Sequence, residues 1–264
     1  REKHPICDMC RDLKMPTTYL CGVNCPANPG AWQLHGAFHK ELRKQRKRRE
    51  DGGVAQQLNR EAAEELARRA AQSGDAYDEL LAEGARYASK EDTRRAGKAY
   101  RKAIALRPDK PLAYLNLGGV LYNSGHKVEA AQRFLEAKER APVGSEVWAD
   151  ATANAFSVLK LKVCDEVAKP EWWNDEGLKA LSASVVRAAP NEERTTSMRA
   201  IVLSGLSFDS WEAGSRSAAD LKEAAAHFDR SAALTSAPAV RAEKARVADW
   251  CRSAAEQGVD GLEM

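Results

Sequence analysis

Residues 77–110, YDELLAEGARYASKEDTRRAGKAYRKAIALRPDK, and residues 111–144, PLAYLNLGGVLYNSGHKVEAAQRFLEAKERAPVG, align without a gap at a period of 34 residues. Gly84 matches Gly118, Ala96 matches Ala130, Tyr100 matches Phe134, Ala103 matches Ala137 and Pro108 matches Pro142. Each matched type has a packing reason. The small residues at 84, 96, 118 and 130 belong where two antiparallel helices cross closely. The rings at 100 and 134 fill the space between helix pairs. Each proline closes a second helix, because it has no N–H with which to continue the hydrogen-bond ladder. Tyr114 and Leu117 mark two further positions of the second unit. The stretch therefore predicts two consecutive helical hairpins.

The texture on either side agrees. Ala, Leu, Glu, Lys and Arg are abundant, only 6% of the 264 residues are aromatic, and straight-chain residues lose little rotamer freedom in a helix, so the chain is expected to be all-α. A third unit starts with Trp148 in the aromatic slot, but its second half, through Cys164 and Lys169-Pro170, departs from the pattern. Further on, Asp175 to Ala188 and Glu192 to Ser204 read as one pair, and Ser217 to Leu234 with Ala239 to Ala255 as another. Ala224 and Phe228 are spaced like the alanine and aromatic of a second helix, and the last helix serves as a cap. Lys169 to Asn174 and Gly205 to Ser217 read as loops. Upstream, Val54 to Gln72 reads as a charged helix, set off from what precedes it by Asp51-Gly52-Gly53.

The aromatic, Leu-Gly, Ala, aromatic, Ala and Pro positions of Tyr77 to Pro142 resemble the tetratricopeptide repeat (TPR) family. The resemblance implies a TPR-type α-solenoid of helical hairpins over residues 77–264, with clear repeats at 77–110 and 111–144 and degenerate ones afterwards. It also implies a face of stacked first helices that holds a peptide or helix from another protein. In the 34-residue register Leu81, Ala85, Leu115, Asn116, Tyr122 and Asn123 are expected to line that face. Chaperone-binding members use Lys and Asn on the first helices as a carboxylate clamp. Here the corresponding positions of the first repeat are Leu81 and Ala85, and Asn116 has no basic companion, so a C-terminal carboxylate is a poor ligand.

The first forty residues differ in kind. Cys7 and Cys10 form C-x2-C, Cys21 and Cys25 form C-x3-C, and His35 and His39 form H-x3-H. Structural zinc takes four thiolate or imidazole ligands, and pairs on short turns are cheap to assemble. On a helix over Ala31 to Lys40, His35 and His39 would share one face. Tyr19-Leu20-Cys21, Cys25, Trp32 and His35 resemble the second half of a MYND-type zinc finger, with a longer gap before Trp32, His39 as the last ligand and one cysteine pair missing. That resemblance implies that Cys7 and Cys10 join His35 and His39 in one site, with Cys21 and Cys25 needing a pair upstream of Arg1. The competing arrangement is a single site of Cys7, Cys10, Cys21 and Cys25. Either way the cofactor is zinc, one ion or two, and a small zinc-finger module over residues 1–40 precedes a connecting segment over 41–76.

Net charge is only +3, yet Lys40 to Arg49 concentrates ten residues of KELRKQRKRR. Such a run can contact nucleic-acid phosphates; without interleaved aromatics it also fits a charged helix extending into solvent. No stretch approaches a membrane span, and unpaired thiols beside a zinc pattern point to a reducing intracellular compartment, cytoplasm or nucleus. Trp172-Trp173, in a loop, is expected to tuck back between helix pairs. His126, His227, Cys164 and Cys251 have no partners of a catalytic set, and no Gly-rich phosphate loop is present. The expectation is a non-enzymatic protein-protein interaction scaffold. The alternatives are a structural subunit of a larger assembly and a nucleic-acid-associated regulator.

Overall fold

A computed structural model describes residues 60–61, 63–65, 67–68, 70–206 and 211–257. The chain divides into two compact units, Arg1–Val54 and Ala55–Met264, and every described residue belongs to the second. That unit is all-α. A helix whose described residues run from 60 to 73 leads into α1 (Ala76–Ala88), α2 (Thr93–Leu106), α3 (Pro111–Asn123), α4 (Lys127–Arg140), α5 (Glu146–Leu159), α6 (Asp175–Ala188), α7 (Glu193–Ser204), α8 (Ala218–Leu234) and α9 (Pro238–Gln257). Local chemistry sets most of the starts. The side chains of Asp75, Asp92, Ser145 and Asn174 accept N–H groups of α1, α2, α5 and α6. Ser217 and Asp220 form a reciprocal capping box on α8, and Pro111 opens α3 where its missing N–H costs nothing. Each side-chain cap contributes about 1 kcal/mol.

Packing follows one register. Ala96, Tyr100 and Ala103 on α2, Ala130, Phe134 and Ala137 on α4, Leu178, Ser182 and Val185 on α6, and Ala224, Phe228 and Ser231 on α8 repeat one spacing, and all are buried. Each of these helices packs between the helix before it and the helix after it, while α1 touches α3, α3 touches α5 and α5 touches α7. By the repeated spacing the units are α1 with α2, α3 with α4, α5 with α6 and α7 with α8, and α9 closes the end. The expected neighbours hold, α6 packing on α7 and α8 on α9, and the register adds that Asp175 to Ala188 completes the unit begun by Trp148 and Ser217 to Leu234 the one begun by Glu193. The expected connection 169–174 lies between α5 and α6; of the one expected over 205–217, residues 207–210 lie outside the described residues. Ser182 stands where Tyr100 and Phe134 stand in the first two pairs, which is why the pattern fades there in the sequence.

Residues 160–174 join α5 to α6. A single 3-10 turn, Lys162–Cys164, packs on α4 and α5, and Lys169 donates its ammonium protons to the carbonyls of Leu159 and Cys164, 3.2 and 2.6 Å away. Trp173 is buried, with its ring 5.6 Å from that of Phe156, and Trp172 lies half-buried against it beneath the Lys138 ammonium. The tryptophan pair tucks back, as its loop position suggested.

The second long connection is held by Arg216, whose side chain is 2% exposed. Its guanidinium donates to both carboxylate oxygens of Asp175, at 3.0 and 2.5 Å, and to the carbonyls of Val202 and Gly214. One arginine thus ties the loop of the fourth pair to the first turn of α6 and the end of α7.

Candidate functional site

A cleft of about 310 Å³ opens where α3, α5 and α7 face one another. Helical spacing puts its lining together: Gly119, Tyr122 and Asn123 share one face of α3, Asn154, Ser157 and Val158 one face of α5, and Glu193, Arg194 and Ser197 one face of α7, with Phe134 behind them. At Gly119 an added Cβ would meet nothing within 4 Å, so the missing side chain leaves the α3 wall low. Tyr122 is partly exposed, and the Lys127 ammonium lies 3.1 Å from its ring centroid while donating to the Tyr122 carbonyl at 2.7 Å.

The polar walls are asymmetric. On α5, the Asn154 amide donates to both the backbone carbonyl and the carboxylate of Asp150, each at 2.8 Å. Burial pushes the Asp150 carboxyl up, and Arg194, 3.7 Å away, and Asn154 draw it back only in part. On α7, the Glu193 carboxylate is gripped from behind: it pairs with the Lys244 ammonium of α9 and lies 3.3 Å from the Ser231 hydroxyl. Lys244 also meets Ser231 at 2.5 Å. Burial, and after it the charge of Lys160, lowers the Lys244 pKa to about 8. Glu193 is thereby fixed and neutralised, whereas Arg194 has its guanidinium side chain 57% exposed.

Of the residues expected on the inner face, the structure brings Tyr122 and Asn123 to the cleft. Leu81 and Leu115 are corrected: both are buried in the main core. Each lies three residues before a glycine that packs under an aromatic ring, Gly84 or Gly118, and so shares the inward side of its helix with that glycine. Ala85 and Asn116 are half-buried outside the cleft lining. The sequence reading missed Gly119, Asn154, Ser157, Glu193, Arg194 and Ser197. A signal existed for one of them, because Ser157 is the 34-residue register mate of Asn123.

The candidate zinc ligands Cys7, Cys10, Cys21, Cys25, His35 and His39, and the basic run Lys40 to Arg49, lie outside the described residues. Among the described residues no group of three or more potential ligands forms a metal site, and no helix is long and apolar enough to cross a membrane. Cys164 and Cys251 are buried, and burial raises both thiols, that of Cys251 to about 11. A larger hollow, about 560 Å³, lies between the leading helix and the end of α1, rimmed by Arg60, Glu64, Arg86, Lys90 and Glu91. Its charges are close to balanced and it stands outside the repeat register.

The family described as TPR repeat matches residues 84–125. That span runs from Gly84 to the turn after α3, and it holds both ring-packed glycines and the α3 wall of the cleft. A TPR repeat suggests protein-protein interaction. Comparison with curated proteins gives no match to this chain.

Proposed function

We propose that this chain is a non-enzymatic interaction scaffold that seats a segment of a partner protein in the cleft between α3, α5 and α7. The helical pairs are read as a TPR-type α-solenoid whose first helices face the partner. The observation that carries the reading is the lining itself: three first helices in succession bring glycine, amide, hydroxyl, carboxylate and guanidinium groups to one opening, beside the apolar surfaces of Tyr122, Phe134 and Val158. A low wall at Gly119 admits a chain, and carboxamides can bond both the N–H and the C=O of a peptide.

The same reading assigns residues 1–40 to a small MYND-like module with structural zinc, one ion or two, held by ligands drawn from Cys7, Cys10, Cys21, Cys25, His35 and His39. Thiolates and imidazoles suit structural zinc, and so few apolar residues at that length need the metal's contribution, of order 10 kcal/mol in small fingers. Residues 41–76 connect the module to the array, and the setting is a reducing intracellular compartment.

The test is partner capture by the intact chain, read by quantitative mass spectrometry, with wild type compared to Gly119→Leu. A leucine there starts from a Cβ that meets nothing within 4 Å and adds bulk at the cleft wall. Partners should be retained by wild type and lost by the variant, which should melt no lower than wild type. Equal capture by both would refute the cleft as the seat.

A further inference from the structure

The lining of the cleft says more about its occupant than that it is a protein. Among the described residues the Arg194 guanidinium forms no hydrogen bond, and its ion pair there is the loose one with Asp150 at 3.7 Å. Five N–H donors in a planar fork therefore stand at the cleft with little to receive them. The Asn123 amide makes no hydrogen bond among the described residues either, and the Asn154 amide nitrogen is spent on Asp150, which leaves its oxygen as an acceptor. The charges lean the same way. Arg194 stands in the cleft lining and Lys127 lies at its edge on Tyr122, against the two carboxylates of Asp150 and Glu193. Glu193 is already neutralised by Lys244, and Asp150 is half-buried and holds Asn154.

We infer that the cleft takes an extended acidic segment of a partner protein, with one Asp or Glu side chain bound by Arg194 and the neighbouring main chain bound by Asn123 and Asn154. A side-chain carboxylate completes the guanidinium as a bidentate pair, the geometry in which arginine is strongest. Asn123 can give an N–H and take a C=O along the segment, and the Asn154 oxygen takes a further N–H. This rests on the cleft reading above. It differs from recognition of a chain terminus by Lys and Asn on the first helices of the early repeats, because the basic group stands on α7 of the fourth pair.

The experiment is selection of a random dodecapeptide display library on the full-length chain, in parallel with Arg194→Ala, Arg194→Glu and Gly119→Leu. Arg194 is exposed enough that neither substitution disturbs the core, and melting curves check this. The wild type should enrich peptides with Asp or Glu at one fixed position. That pool should bind Arg194→Ala about tenfold more weakly, as expected when a hydrogen bond to a charged group is lost, and Arg194→Glu should enrich Lys or Arg at the same position. A pool that Gly119→Leu abolishes but that has no acidic position, or that binds Arg194→Ala undiminished, overturns the acidic assignment and leaves the cleft standing. Peptides that bind Gly119→Leu as well as wild type, or no enrichment at all, count against both.

Discussion

A methyl group added at Gly118 would come within 2.6 Å of the Phe134 ring, whereas one added at Gly119 would meet nothing within 4 Å. The two glycines are adjacent on α3 and serve different ends: the first lets a ring into the core, the second leaves a wall open. Gly118→Ala should cost about 2 kcal/mol through overpacking, more than the roughly 1 kcal/mol it gains in helix propensity. Gly119→Ala should keep that gain of about 1 kcal/mol whole. Urea titration of the two variants checks both, and a destabilised Gly119→Ala would mean that its face is packed rather than open. Gly118 was legible in the sequence because Gly84 repeats it, and the Gly84 position is equally tight, at 2.4 Å from Tyr100. Gly119 was not, because its register mate is Ala85 and a function that appears once leaves no period to find.

At the scale of elements, the helices, their caps and the neighbours of the later ones were legible, and the register that joins α5 to α6 and α7 to α8 was not. The signal for pairing is an aromatic over a glycine, and the third pair replaces it with Thr152 and Ser182, both buried, while long connections separate the partners in sequence. Arg216 holds the last of these connections in place. Arg216→Met removes one member of a largely buried pair and should cost about 3 kcal/mol, the low end for such a break because Asp175 retains some solvent and lies 3.8 Å from Lys179. Burial by itself would raise the Asp175 carboxyl; the hydrogen bonds and charge of Arg216 outweigh it and hold the pKa below the ordinary 3.8. The stability this supplies is present above that value and is lost as pH falls through the lowered one. Denaturation of the wild type below pH 4 should therefore show a loss that Arg216→Met lacks. Parallel acid limbs for the two proteins would remove Arg216 from its assigned place.

For the whole molecule, the two units make separable predictions. Removing metal with a chelator, or Cys7→Ser with Cys10→Ser, should unfold residues 1–40 and leave the helices from α1 onward intact; the check is metal analysis with circular dichroism of the purified chain. Absence of tightly bound zinc under reducing conditions would end the finger assignment without touching the array. The cleft was half legible: Tyr122 and Asn123 fell in the right register, but Leu81 and Leu115 were assigned outward when their spacing from Gly84 and Gly118 turns them in. Glu193 and Arg194 lie beyond the clear repeats, where only the fold brings α7 up to α3 and α5. The most direct measurement of the central claim is hydrogen–deuterium exchange of the full chain with and without a captured partner. The account predicts added protection at residues 119–123, 154–158 and 193–197 together, and protection confined to the hollow beside Arg60 and Lys90 or to the 160–174 connection would contradict it.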